Sequence, residues 1–155
     1  MGRTILGVVI GYVVVFVWVF ATSSLAWMAL GPGFAFEGDT PHTSVGWGVL
    51  SLVLGVVGAA IAGWIAAFVG RGARAANWLA VVILVLGLAT AVYYLTIDRE
   101  AMALETLAGR SSAEVPMMEA ASVAVAPAWY NFGIAVVGAA GAVLGGRLRG
   151  SRAPA

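Results

Sequence analysis

The chain contains no cysteine and no lysine, and it has a single histidine. Without cysteine it cannot form disulfides, thiolate metal sites or iron–sulfur clusters. One histidine also leaves no second imidazole for a bis-histidine haem or a histidine proton relay. Charged residues make up 10% of the 155 residues and hydrophobic residues 62%. Because a soluble domain of this size could not hide so much apolar surface from water, the composition predicts a membrane protein.

Four segments have interiors free of Asp, Glu, Lys, Arg and His over a length that crosses a bilayer, which takes about 20 helical residues. They cover residues 4–28, 44–69, 77–97 and 127–148. The first resembles a signal peptide in having Arg3 before it and Ser24-Leu25-Ala26 near its end, but its length favours a span. We therefore expect an all-α integral membrane four-helix bundle that forms one domain over residues 1–155.

Arginines gather on one side of these spans, and cytoplasmic loops are enriched in positive charge. The other side holds two arginines and all seven acids, a net charge of −5. We therefore expect an inner-membrane protein of a bacterium with both termini, the loop 70–76 and the tail 149–155 in the cytoplasm, and with connections 29–43 and 98–126 outside. The six arginines on the predicted cytoplasmic side are Arg3, Arg71, Arg74, Arg147, Arg149 and Arg152.

Aromatic residues agree with this orientation, because Trp and Tyr favour the membrane interface. Trp78 lies at the predicted inner boundary, whereas Trp18 and Trp64 lie deeper and are expected to pack against a neighbouring helix. The residues at the predicted outer boundary are Trp27, Trp47, Tyr93, Tyr94, Trp129 and Tyr130.

The connection 98–126 is too long for a bare linker in so small a protein. Residues 98–108 predict a short helix capped by Thr96 or Asp98, and residues 116–124 predict another that begins near Pro116. These helices would form an extracytoplasmic cap. The first connection, with Gly31-Pro32-Gly33, is expected to be irregular.

A short repeat relates the second and fourth spans. The sequence Val-Val-Gly-Ala-Ala occurs at residues 56–60 and again at 136–140, and both spans are predicted to run from outside to inside. The repeat favours two helical hairpins of the same sense. Chance similarity in a chain rich in Val, Gly and Ala is the alternative.

Small residues recur at every fourth position of the second span, which places them in one stripe on a helix. Because small side chains let helix backbones approach closely in a membrane, the stripes are the predicted helix-packing interface. The contact is either between helices of one subunit or between subunits. The stripe residues are Ser51, Gly55, Ala59, Gly63 and Ala67 in the second span, Gly7 and Gly11 in the first, and Gly138, Gly141, Ala142, Gly145 and Gly146 in the fourth.

The polar residues of the connections suggest weaker hypotheses. Glu37, Asp39 and His42 could bind a divalent cation if another acid joined them, and a solvated loop is the alternative. The acids of the long connection would attract a basic partner or cations, or they simply reflect topology. Those acids are Asp98, Glu100, Glu105, Glu114 and Glu119.

No catalytic motif such as G-x-S-x-G or H-E-x-x-H occurs, so we expect no enzyme, cofactor, metal or nucleic acid. The sequence favours a non-catalytic accessory or scaffold subunit that packs with copies of itself or with other membrane helices, with connection 98–126 open to an extracytoplasmic partner. The alternative is an oligomeric channel or passive transporter for a small solute, lined by residues such as Tyr12, Ser51 and Thr90. A membrane enzyme with its site in the outer connections is third.

Overall fold

A computed structural model of the chain describes residues 1–112 and 114–150. Arg152, predicted for the cytoplasmic tail, lies outside these residues. The described residues form seven helices and no strand. Four of the helices are long and apolar enough to cross a membrane, so the prediction of an all-α chain with four such helices is confirmed. The helices are α1 (Gly2–Leu30), α2 (Pro32–Ala35), α3 (Val45–Gly70), α4 (Ala73–Thr96), α5 (Arg99–Leu107), α6 (Met117–Val123) and α7 (Ala128–Gly150).

Local signals determine where α3 begins and ends. The Ser44 hydroxyl accepts a hydrogen bond from the Trp47 backbone N–H at 3.1 Å, which is a typical N-cap. Arg71 ends the helix in the left-handed conformation, with φ of 57°. Helix α4 begins at Ala73, earlier than the predicted 77, because alanine and arginine are good helix formers. The turn between the two helices is therefore only Arg71 and Gly72.

The four long helices pack against one another in alternating directions. Helix α3 packs along α1 and α7, and α4 packs along α7. Helices α3 and α7 run in the same direction, because Gly48 faces Trp129 at one end and Gly63 faces Ala142 further along. Helices α1 and α4 run the opposite way. The pairs that show this are Gly7 with Ala66 and Trp18 with Gly58 for α1 and α3, and Gly87 with Ala135 and Gly146 with Ala76 for α4 and α7.

One hydrophobic core lies among the long helices near their arginine end, the end at which Arg3, Arg71 and Arg147 are found. Close contacts of Gly7 with Gly70 and Ala75 bring three helices together there. Its fully or nearly buried residues are Ala62, Ala66, Ala75, Leu79, Ala80 and Ala142.

A second core lies at the other end of the molecule, in a cap formed by residues 31–44, 97–112 and 114–127. Leu107 of α5 and Val123 of α6 are only 2% exposed, and Phe36 of the first connection is 4% exposed. The predicted helices of the long connection are present as α5 and α6. The Asp98 side chain caps α5 by accepting a hydrogen bond from the Ala101 N–H at 3.0 Å. The other members of this core are Ala35, Ala103, Val115 and Ala120.

The first connection is more ordered than its composition predicts. It contains the single turn of α2, which begins at Pro32, a favoured residue at a first helical position. Its backbone also bonds to the long connection, because the Thr43 N–H donates to the Val125 carbonyl and the Val125 N–H donates to the Pro41 carbonyl. Outside α2 the segment has only turns, bends and isolated bridges, as the expected irregular connection would, and pairing with a distant part of the chain holds it in place.

Candidate functional site

The predicted helix-packing residues lie mostly at contacts between helices of this one chain. A Cβ on Gly63 would collide with the Ala142 carbonyl oxygen, and a Cβ on Gly145 would collide with the Ala60 carbonyl oxygen. The chain's own helices thus occupy these faces. Ser51 is half-buried, and the remaining predicted residues are buried, namely Gly7, Gly11, Gly55, Ala59, Gly63, Ala67, Gly138, Gly141, Ala142, Gly145 and Gly146.

Trp18 and Trp64 differ in their surroundings. The Trp18 indole packs over Gly58, and its Nε1–H donates to the Leu54 carbonyl at 2.9 Å, which ties α1 to α3. Trp64 is 40% exposed and stacks on Phe68 of its own helix. The expected packing on a neighbouring helix therefore holds for Trp18 only. The sequence alone does not separate the two, because Gly58 meets Trp18 only in the folded chain.

Hydroxyl groups in the long helices bond mainly to their own backbone. Thr22 donates to the Trp18 carbonyl at 2.8 Å, and Thr90 donates to the Leu86 carbonyl at 2.9 Å. Thr90 and Tyr12 lie on the exposed surface of the helices, whereas Ser51 is half-buried. The three residues named for a solute path are therefore not brought together within one chain.

Asp39 and His42 of the first connection contact residues of the long connection. The His42 Nε2 lies 3.6 Å from the Glu100 Oε1, and the Asp39 Oδ1 accepts a hydrogen bond from Ser111 at 2.8 Å. An acid of the long connection does approach His42, as the cation hypothesis required. No three His, Asp or Glu side chains among the described residues are placed to hold a metal ion.

The two arginines of the cap are held differently. Arg110 forms an ion pair with Glu119 that joins the end of α5 to α6. The Arg99 Nη2 donates to the Ala124 carbonyl at 2.6 Å, and its guanidinium carbon lies 4.4 Å from the centroid of the Tyr94 ring. Arg99 forms no ion pair with a carboxylate in residues 1–112 and 114–150, and its guanidinium contacts backbone carbonyls and an aromatic face.

A cavity of about 330 Å³ lies between the two cores, below the cap and among the cap-side halves of the long helices. Val19, Leu54 and Ile134 contribute apolar walls from α1, α3 and α7. Trp27 and Trp47 also line it, with their rings in edge-to-face contact at 6.1 Å between centroids. Helix α6 closes the cavity from above.

A few polar groups interrupt the apolar lining. The Ser51 hydroxyl lies next to that of Tyr130, and the Asn131 side chain donates to the Ala126 carbonyl at 3.4 Å. A smaller cavity of about 110 Å³ adjoins the first, and Tyr94, Arg99 and Asn131 line both. This site could not be predicted from the sequence, because its residues come from all seven helices and from the connections and form no motif. The unpaired Arg99 beside Tyr93 and Tyr94 was the one available signal.

Comparisons of the chain with protein-family models, with curated proteins and with solved structures found no match.

Proposed function

We propose that this protein is a non-catalytic subunit or scaffold of an assembly in a bacterial inner membrane. It would be a four-helix bundle of two same-sense hairpins, with both termini in the cytoplasm and the cap outside. The positions of the charges support this orientation, because arginine-rich segments remain on the cytoplasmic side. The common direction of α3 and α7 supports the two-hairpin arrangement.

The observation that carries the proposal is the cap, which has a core of its own instead of being a flexible connection. Ordering a segment costs conformational entropy. When the segment is already ordered in the free protein, a partner binds more tightly because this cost is not part of the binding free energy. The exposed side of the cap combines apolar residues with acids. Met102, Leu104 and Met118 are 56%, 54% and 68% exposed, and Glu105 and Glu114 are exposed as well. This surface suits an extracytoplasmic partner with basic and apolar residues.

The long helices supply a second contact surface, for copies of the chain or for other membrane helices. Since the glycine stripes are filled internally, such partners would meet the large apolar side chains that remain exposed. Phe16 of α1, Val53 of α3 and Val85 of α4 are 68%, 55% and 58% exposed. In a membrane these side chains face lipid or another helix. A channel would need hydroxyl groups that are free to face a solute. Those of Thr22 and Thr90 bond to the backbone of their own helices, so they do not support the channel alternative.

In-cell photo-crosslinking tests the proposal. A photoreactive amino acid would replace Met118 in the cap or Val85 in α4, with the chain expressed from its own locus and isolated in mild detergent. We expect position 118 to cross-link to a different protein, and Glu105→Lys with Glu114→Lys to reduce that product. Val85 is the control for contacts within the membrane.

Isolation of the chain only with copies of itself, without a cross-link from the cap to another protein, would contradict the scaffold proposal. Solute flux through liposomes that contain the pure oligomer would then favour the channel.

A further inference from the structure

The cavity beneath the cap extends to the depth of one membrane leaflet. Its lining on α3 runs from Trp47 to Gly55, a separation of eight residues. At 1.5 Å per residue the cavity therefore extends about 12 Å along the helix. The hydrocarbon of a bilayer is about 30 Å thick, so this depth is roughly that of one leaflet. An acyl chain of the leaflet on the cap side lies at the same depth.

Helices α1 and α4 both flank the cavity. Helix α1 meets α4 near the arginine end, where Gly7 faces Ala75 and Gly11 faces Leu79. Nearer the cap, α1 and α4 stand on two sides of the cavity and line it with Thr22 and Tyr94 respectively. An apolar cavity left empty is strongly destabilising, and water gains little in it. A hydrocarbon chain is the occupant that this lining fits.

Arg99 gives the mouth of the cavity a cation at the height of lipid headgroups. It lies three residues beyond Thr96, the end of α4, next to the aromatic residues expected at the interface. The Arg99 Nη2 donates to the backbone carbonyls of Ser122 and Ala124. Its Nε and Nη1 donate to no acceptor in the described part of the chain. Each of these two N–H groups can donate a single charge-assisted hydrogen bond to a phosphate oxygen.

We propose that the cavity binds one phospholipid from the leaflet on the cap side, with an acyl chain inside and its phosphate at Arg99. Arg110, the other arginine of the cap, forms an ion pair with Glu119 and so does not compete with Arg99 for the phosphate. The site goes beyond the scaffold role, and either could hold without the other. Its bound lipid would join the cap to the long helices at the place where their two cores are separate.

Native mass spectrometry of the full chain tests the site. The protein would be delipidated in detergent and then titrated with dioleoyl phosphatidylethanolamine or with dioleoylglycerol, which has the same acyl chains and no phosphate. We expect one phosphatidylethanolamine to remain bound per chain, and dioleoylglycerol to bind at least about tenfold more weakly, because a charge-assisted pair with the phosphate is worth about a factor of ten or more. Equal binding of both would overturn the assignment of the phosphate to Arg99.

Two substitutions with matched controls separate the headgroup from the chain. Arg99→Gln should weaken phosphatidylethanolamine binding about tenfold, whereas Arg110→Gln in the same cap should not. Thr22→Phe should fill the cavity and abolish binding, whereas Thr90→Phe should leave it unchanged. Thr90 is the matched control because its hydroxyl also bonds to its own helix but its side chain is exposed.

Several results would overturn the proposal. One is a wild-type chain that retains no lipid, and another is a Thr22→Phe chain that binds as tightly as wild type. Should Thr22→Phe fail to give a folded protein by circular dichroism, the Arg99→Gln and Arg110→Gln pair decides. Equal affinity of those two variants would refute the site.

Discussion

Gly63 lies against the backbone carbonyl of Ala142, at one of the close approaches of α3 and α7. Because a carbonyl cannot move without its helix, the extra methyl group of Gly63→Ala should force α3 and α7 apart. We expect a loss of about 1–3 kcal/mol, the usual cost of overpacking. Thermal unfolding in detergent would measure it.

Gly133→Ala in α7 is the control for that substitution. A Cβ there would meet the Leu52 side chain at 3.8 Å, which is an ordinary contact. Equal melting temperatures of the two variants would show that the close approach at Gly63 is not needed.

Trp18 holds α1 to α3 through one indole hydrogen bond. Trp18→Phe keeps an aromatic ring over Gly58 but removes the donor, so we expect a loss of about 1 kcal/mol. Trp64→Phe removes an indole that is 40% exposed and should leave stability nearly unchanged. Chemical unfolding of both variants in mixed micelles would compare them, and a larger loss for Trp64→Phe would contradict this account.

At the scale of elements, the cap and the long helices have separate cores. Of the long helices, Trp27 and Trp47 pack against the cap core from outside its buried cluster. A segment with its own buried cluster can open locally, so damage to the cap should remain local. Leu107→Ala in α5 removes a side chain that is 2% exposed, and we expect it to destabilise the cap by about 2–4 kcal/mol. Proteolysis within residues 98–126 should become faster while the helical circular dichroism of the protein changes little.

Leu104→Ala is the matched control for the cap, since Leu104 lies on the same helix and is 54% exposed. Its proteolysis should resemble that of the wild type. Complete loss of helical signal in Leu107→Ala would instead show that the cap and the long helices fold as one unit.

For the molecule as a whole, the absence of cysteine makes topology directly measurable. Glu105→Cys places one thiol in the exposed part of the cap, and Ala73→Cys places one at the exposed start of α4. If the cap is outside, an impermeant maleimide should label position 105 in intact cells and position 73 only after permeabilisation. Labelling of both from the same side would refute the proposed orientation.

Much of the fold could be predicted because hydropathy and charge act along the chain, segment by segment. The four long helices, the caps of the short helices and the clustering of arginines follow from the hydropathy and charge of each segment taken by itself. The bounds of α4 and the order of the first connection could not be predicted. At Ala73 the helix continues through residues that were read as a charged loop, and at Thr43 the pairing partner Val125 is far away in sequence.

The sequence by itself determined that the chain forms apolar helices of membrane length, with acids and most arginines at opposite ends. Only the tertiary structure decided that Gly63 meets a carbonyl of α7, that Glu100 reaches His42, and that Arg99 stands beside a cavity under the cap. The physical reason is that solvent preference is a property of each residue. A close contact or a cavity depends on the distances between two or more residues. The properties of each residue taken alone do not determine those distances.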